Sequence, residues 1–272
     1  MNNLEFNKVH DFWNSESCGE RYAIGDSSIE KFLNEEKNRY KLEPYIKKFA
    51  NFNEYKNKDV LEIGVGFGCD HSQIARQKPN SLTGIDLTQR AIDNTNLRFK
   101  ILKLNSTLKI DNAENLSFED NTFDAIYSWG VLHHSPDTKK CFNELHRVLK
   151  PGGFGKVMIY HKHSPAGWML WIKYGLFKFK PFRSLENIYN NYLESPGTKA
   201  FTIEEAKELV KQFVNVEISV QLSHGDLLEG NVGARHKGWM LTFAKCMYPK
   251  LLIKLIAKFF PIGLFLLIKV EK

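Results

Sequence analysis

The chain's most chemically suggestive run is Val60-Leu61-Glu62-Ile63-Gly64-Val65-Gly66-Phe67-Gly68. Glycines in a turn after a short apolar strand let a ligand approach the backbone, because glycine lacks a Cβ and tolerates positive φ. Asp86 lies 22 residues beyond Gly64, where an acid ending the next strand can accept hydrogen bonds from both hydroxyls of a ribose. These residues imply a nucleoside-containing cofactor, and at this level NAD remains open. The dinucleotide pattern GxGxxG, however, would set its third glycine at Cys69, and no GxxxxGK[ST] phosphate loop exists. His133 and His134 follow a later apolar run. An imidazole there could take a proton at neutral pH, although either ring could instead cap a loop or fill space beside Trp129.

The elements that must position these residues alternate strand and helix. Val60–Ile63, Ser81–Asp86, a short run ending near Asp111, Phe123–Tyr127 and Val157–Tyr160 read as strands. Helices are expected from about Asp70, after the cap Thr88, and from about Asp137 to Leu149, where Pro151-Gly152-Gly153 stops the chain. This alternation predicts an α/β fold, a Rossmann-like doubly wound sheet of seven mostly parallel strands with helices on both faces. No repeat or Gly/Ser linker divides the chain, so a single domain is expected in four parts. These are an N-terminal helical segment (1–55), the core (56–160), an aromatic and basic insertion (161–200), expected to form a helical lid, and the rest of the core (201–272). In that last part a helix is expected over Ile203–Phe213 and a strand over Val214–Val220. Pro249 opens a helix with Lys250, Lys254 and Lys258 on one face, and Gly263 precedes a strand over Leu264–Val270.

Further segments keep a fixed order: Asn112-Ala113-Glu114-Asn115-Leu116-Ser117-Phe118, Asn121-Thr122-Phe123-Asp124, Gly130-Val131-Leu132-His133-His134 and Arg147-Val148-Leu149-Lys150-Pro151-Gly152-Gly153. With the glycine turn and Asp86, this set resembles the class I S-adenosylmethionine-dependent methyltransferases over roughly residues 55–160. The resemblance is to the type 11 branch, which includes ubiquinone and sterol methylating enzymes. It implies S-adenosyl-L-methionine as cofactor, with Glu62, Gly64, Gly66 and Gly68 near its methionine part, Asp86 on the ribose and Leu87 stacking on adenine. Asn112 falls where the family usually has an acid that accepts from the adenine amino group, and an amide oxygen can still accept there. The Ala113 backbone would complete adenine recognition, and Trp129 and Tyr22 join the expected cofactor set. His133 and His134 become candidate catalytic bases, and Arg21, beside Tyr22, a candidate contact to the cofactor's carboxylate.

The implied reaction is methyl transfer to an oxygen or carbon of a small or lipid-linked metabolite. An RNA or nucleic-acid methyltransferase and a non-catalytic cofactor-binding subunit are the competing readings. His161, His163 and Trp168 are candidate substrate contacts, although a solvated loop and a packed insertion explain them as well. No resident metal is expected, since no histidine and carboxylate set has ligand spacing.

Composition bounds these readings. With 43% apolar and 25% charged residues the chain is an ordinary globular protein, neither disordered nor fibrous. Cys18, Cys69, Cys141 and Cys246 lie far apart, which fits reduced thiols and a cytoplasmic location, and the first twenty residues have no signal-peptide core. Net charge is +7, yet residues 150–185 and 237–272 together carry +13 and the remainder −6. Two basic segments on a slightly acidic body suit an anionic partner or simply a solvated lysine face. Lys254, Lys258, Lys269 and Pro261 argue against a membrane span over 251–270. A basic amphipathic helix touching the inner face of a membrane is the sharper expectation, and packing of its apolar side on the domain the plainer one. No specific nucleic acid is expected.

Overall fold

A computed structural model describes residues 3–15, 20–25, 27–229 and 248–272. Cys18 and Cys246, together with the Arg21 side chain, lie outside the described residues. The central sheet comprises β1 (Asp59–Ile63), β2 (Ser81–Asp86), β3 (Thr107–Ile110), β4 (Phe123–Trp129), β5 (Leu149–Tyr160), β6 (Val214–Gln221) and β7 (Phe265–Glu271). Their order across the sheet is β3-β2-β1-β4-β5-β7-β6. The first five are parallel, and β7 runs antiparallel between β5 and β6.

Successive side chains of a strand point to opposite faces, so one strand feeds two cores. On β4, Ile126 joins the apolar layer that holds Phe142, Leu145 and Val210, as does Phe123, which precedes the register shift between Phe123 and Ala125. Ala125 and Tyr127 face the other way, among Ile46, Phe49, Ile74 and Phe99. The first layer is closed by α6 (Thr138–Val148) and α9 (Ile203–Leu209). The second is closed by α2 (Ser28–Leu42), α3 (Tyr45–Ala50), α4 (Cys69–Arg76) and α5 (Gln89–Leu102). Ahead of these lies α1 (Asn3–Ser15), which touches α5.

Several expected boundaries move. The strand expected over Val157–Tyr160 begins at Leu149, because Leu149 leaves α6 in extended conformation and pairs with Phe123. Pro151-Gly152-Gly153 therefore lies inside the span of β5. The helix from Ile203 stops at Leu209 rather than Phe213, and β6 reaches Gln221. Residues 161–200 hold α7 (Pro165–Tyr174) and α8 (Leu185–Tyr192), each opened by a serine, Ser164 or Ser184, that accepts from a backbone N–H of its first turn. Pro249 is the N-cap of a helix over Lys250–Ile256, which ends before Lys258. Among the described residues the apolar side of that helix is largely exposed, Leu251 by 85% and Leu255 by 51%, while Ile253 is partly buried.

Candidate cofactor site

The strand order reverses at β1, which lies between β2 and β4. Open α/β sheets bind ligands outside the carboxyl ends of the strands at such a switch point. A cleft of about 1120 Å³, part of it open to solvent, lies there, walled by the ends of β1, β2 and β4 and flanked by Val9 and Trp13 of α1 and Glu35 and Arg39 of α2.

The glycine turn is shaped by two close approaches. Gly64 has φ 83, and a Cβ on it would come within 2.2 Å of Val131 Cγ2. Gly68 has φ 77, and its Cβ would meet Thr95 Oγ1 at 2.9 Å. The turn thus runs against the loop after β4 on one side and against α5 on the other, with backbone facing the cleft. A methionine-bearing ligand that must lie against main chain fits such a cradle.

Asp86 ends β2 with its carboxylate turned to the cleft. One oxygen accepts from the Gly66 N–H at 3.1 Å, and the other from the Thr88 N–H at 3.0 Å and hydroxyl at 2.9 Å. Burial raises its pKa, with these bonds acting in the opposite direction. A carboxylate oxygen can accept twice, so the Gly66-bound oxygen keeps capacity for a ribose hydroxyl. Asn112 forms an Asx turn, its Oδ1 accepting from Glu114 N at 2.9 Å, which presents the Asn112-Ala113 backbone to the cleft. Leu87 and Trp129 line the same cleft. Of the expected cofactor residues, Gly68 and Tyr22 do not: Gly68 turns against α5, and Tyr22 closes the 3-10 turn Glu20–Tyr22, where its carbonyl accepts from Asn38.

Glu62 sits under the turn, 3% exposed, with Oε2 2.9 Å from His71 Nδ1. The network assigns the proton. Ser106 Oγ donates to Leu82 O at 3.1 Å, so at 2.7 Å it accepts from His71 Nε2–H. Nδ1 is then the acceptor, and Glu62 donates to it as a neutral acid. Burial supports this, raising the Glu62 carboxyl well above its ordinary range and lowering His71 to about 3.

Sequence reasoning missed the group that holds α2 against the cleft. Arg39 pairs with Asp70 at 2.9 Å, and Asp70 also accepts from Tyr40 at 2.7 Å and Tyr127 at 3.0 Å. Fully buried Arg98 pairs with Glu35 at 2.8 Å and donates to Phe67 O and Phe32 O. These partners are 30 to 66 residues apart, so no local pattern announces them.

The two histidines diverge. His134 lines the cleft, and its Nδ1 lies 2.8 Å from Ser195 Oγ and 3.2 Å from Thr198 Oγ1. Its Nε2 is 3.5 Å from Glu194 Oε2, a carboxylate oxygen that accepts from Tyr160 at 2.6 Å. His133 does not line the cleft. Its ring is packed between His134 and Tyr160 at centroid separations of 4.2 and 4.0 Å, and neither nitrogen has a hydrogen-bond partner among the described residues. Burial, followed by the charges of His134 and Lys199, drives its pKa well down. His161, His163 and Trp168 stay off the cleft: His161 donates through Nδ1 to Gly263 O at 3.0 Å, and the other two are exposed.

A glycine turn, an acid with spare acceptor capacity and an Asx-turned backbone meet at the switch point of a doubly wound α/β domain. Residues 61–155 match the family model described as a methyltransferase domain. Residues 61–155 thus form a methyltransferase domain of the class I type, with S-adenosyl-L-methionine as its cofactor. Phosphoethanolamine N-methyltransferase 2 of Caenorhabditis elegans is 35% identical over 119 residues, 43% of this chain and 26% of that protein. Fatty-acid O-methyltransferase of Mycolicibacterium smegmatis is 34% identical over 121 residues, 44% of this chain and 43% of that one. The chain thus spans less than half the length of these curated relatives. Phosphoethanolamine N-methyltransferase 2 of Haemonchus contortus shares the fold, with a TM-score of 0.55 at 18% identity over 85% of this chain and 52% of that one.

Proposed function

We propose that this protein is a methyltransferase that moves the methyl group of S-adenosyl-L-methionine to an oxygen or carbon of a small or lipid-linked acceptor. The observation that carries the reading is the cleft at the switch point, where Gly64 and Gly66, Asp86 and Asn112-Ala113 face one space with His134 on its wall. The match of residues 61–155 to the methyltransferase domain supports it independently.

When bound, the cofactor supplies a methyl group already activated on a sulfonium, so the protein's task is alignment and exclusion of water. The glycine turn and Glu62 hold the methionine end, Asp86 the ribose, and Leu87, Asn112 and Ala113 the adenine. Trp13 and Val9 cover the cleft on the α1 side. A hydroxyl acceptor must lose a proton during attack. We assign that proton to His134 rather than His133, since His134 alone of the pair reaches the cleft. Ser195 and Thr198 fix its ring through Nδ1, and the Glu194 carboxylate beside Nε2 would steady an imidazolium. The helix Lys250–Ile256 is the proposed peripheral contact with anionic lipid, which would bring a lipid-linked acceptor to the domain.

The test is calorimetric titration of wild type and Asp86→Ala with S-adenosylmethionine, S-adenosylhomocysteine and NAD. Micromolar binding of the first two, weakened in the variant, is expected. Labelled methyl donor then reports transfer to panels of hydroxylated and lipid-linked acceptors. Binding of NAD instead, or of nothing, would overturn the reading.

A further inference from the structure

The outer end of the 161–200 insertion presents apolar side chains that folding alone does not call for. Phe179 is 95% and Phe182 100% exposed, with Leu176 and Phe177 beside them at 47% and 58%. Phe179 also holds a left-handed backbone, φ 54 and ψ 35, at the end of the short 3-10 turn Leu176–Lys178. Glycine or asparagine would meet that conformation with less strain. The position therefore keeps a large aromatic at a cost both to the backbone and to solvation.

The frame beneath is fastened. Lys180 N donates to Gly175 O at 2.8 Å, and Trp171 Nε1 donates to Arg183 O at 2.9 Å. Arg183 donates to Tyr192 at 2.7 Å, and Tyr192 stacks on Tyr174 with centroids 4.1 Å apart. The phenylalanines are thus held outward on a hydrogen-bonded loop. Lys178 and Lys180 alternate with them and are exposed, and no acid occurs between residues 150 and 185.

We infer that the loop 176–182 inserts into an anionic lipid surface, Phe179 and Phe182 entering the acyl boundary while Lys178 and Lys180 meet the phosphates. Aromatic rings and lysines alternating on a compact, acid-free tip have the chemistry of that interface, where an apolar body and a charged head are satisfied at different depths. The sheet topology adds a second point of contact. The end of β5 pairs with the start of β7, Tyr160 opposite Phe265, and Gly263 N donates to His163 O at 3.1 Å. The insertion and the segment carrying the Lys250–Ile256 helix therefore join the sheet at the same edge, the one on which the cofactor cleft opens. This deepens the lipid contact proposed above for that helix, on which it rests in part, and adds a distinct insertion element.

The experiment is co-sedimentation of the full chain with vesicles of phosphatidylcholine alone and of phosphatidylcholine with a quarter phosphatidylglycerol. Three proteins are compared: wild type, Phe179→Ser/Phe182→Ser and Lys250→Glu/Lys254→Glu/Lys258→Glu. Wild type should bind the anionic vesicles, and the phenylalanine pair should weaken that binding by about tenfold or more with melting and S-adenosylmethionine affinity unchanged. Absence of wild-type binding to anionic vesicles would overturn both lipid proposals. Binding lost in the lysine variant and kept in the phenylalanine variant would overturn the insertion while leaving the helix contact standing. A wild-type dimer that the phenylalanine pair converts to monomer, or capture of a single-stranded oligonucleotide without vesicle binding, would give the surface to another occupant and overturn the inference. None of these readouts depends on methyl transfer.

Discussion

The two sides of this molecule solve opposite problems with the same residue types. Under the glycine turn, charges are buried: Arg98 and Glu35 are both fully enclosed, and Asp70 takes bonds from Arg39, Tyr40 and Tyr127. At the outer end of the insertion, apolar rings stand in solvent and the lysines beside them are exposed. A buried ion costs desolvation and persists only when every partner is in place, so the first region fixes one geometry for the cofactor. An exposed aromatic constrains nothing in the fold, so the second region can change with little consequence for stability. The cofactor half is built for precision and the outer edge for contact.

That contrast can be broken most severely at Arg98. Arg98→Ala leaves Glu35 buried and unpaired and should cost about 3–5 kcal/mol in chemical denaturation, whereas pairing Arg98→Met with Glu35→Leu should recover much of the loss. Gly64→Ala drives a Cβ toward Val131 at positive φ. It should cost about 1–3 kcal/mol and abolish S-adenosylmethionine binding in the titration. Asp86→Ala should weaken cofactor binding by about ten- to a hundredfold, the worth of hydrogen bonds to a charged acceptor, with a smaller stability loss. Acidification should act on the buried side. The folded Glu62–His71 pair holds one proton, on Glu62, and the unfolded pair also holds one between about pH 4.5 and 6.5, so the pair adds no slope there. Below about pH 4.5 the unfolded pair binds a second proton, which the folded pair resists down to about pH 3, and stability falls as pH drops. The loss should reach about 1 kcal/mol by about pH 3.5, and melting curves of His71→Gln should show a shallower slope below about pH 4.5. Smallest of all, Phe182→Ser should shift stability by no more than about 0.5 kcal/mol.

Much of the core was legible because its signals are local. Strand periodicity, the Gly64-Gly66-Gly68 turn and the spacing to Asp86 each lie within a single βαβ unit, and the α/β class followed from them. Helix α5 opens at Thr88, as expected from a threonine preceding a helical pattern. Pairing misled the reading of β5, since Leu149 is extended only because Phe123 lies beside it. Solvent misled the reading of the basic helix, whose apolar side remains exposed. The adjacent histidines show the same limit at the site: identical in type and consecutive in the 3-10 turn Leu132–His134, they differ in access to the cleft.

By itself the sequence determined the order of strands and helices, the glycine cradle and the acid at the end of β2, because each arises from residues that interact within a few turns of chain. Only the tertiary structure decided that Arg39 and Arg98 tie α2 over the cleft. It alone chose His134 for the wall, and it alone left Phe179 and Phe182 in water. Those outcomes depend on contacts and exclusions between segments tens of residues apart, where burial sets the cost of each charge and each ring, and burial is a property that no local stretch of sequence contains.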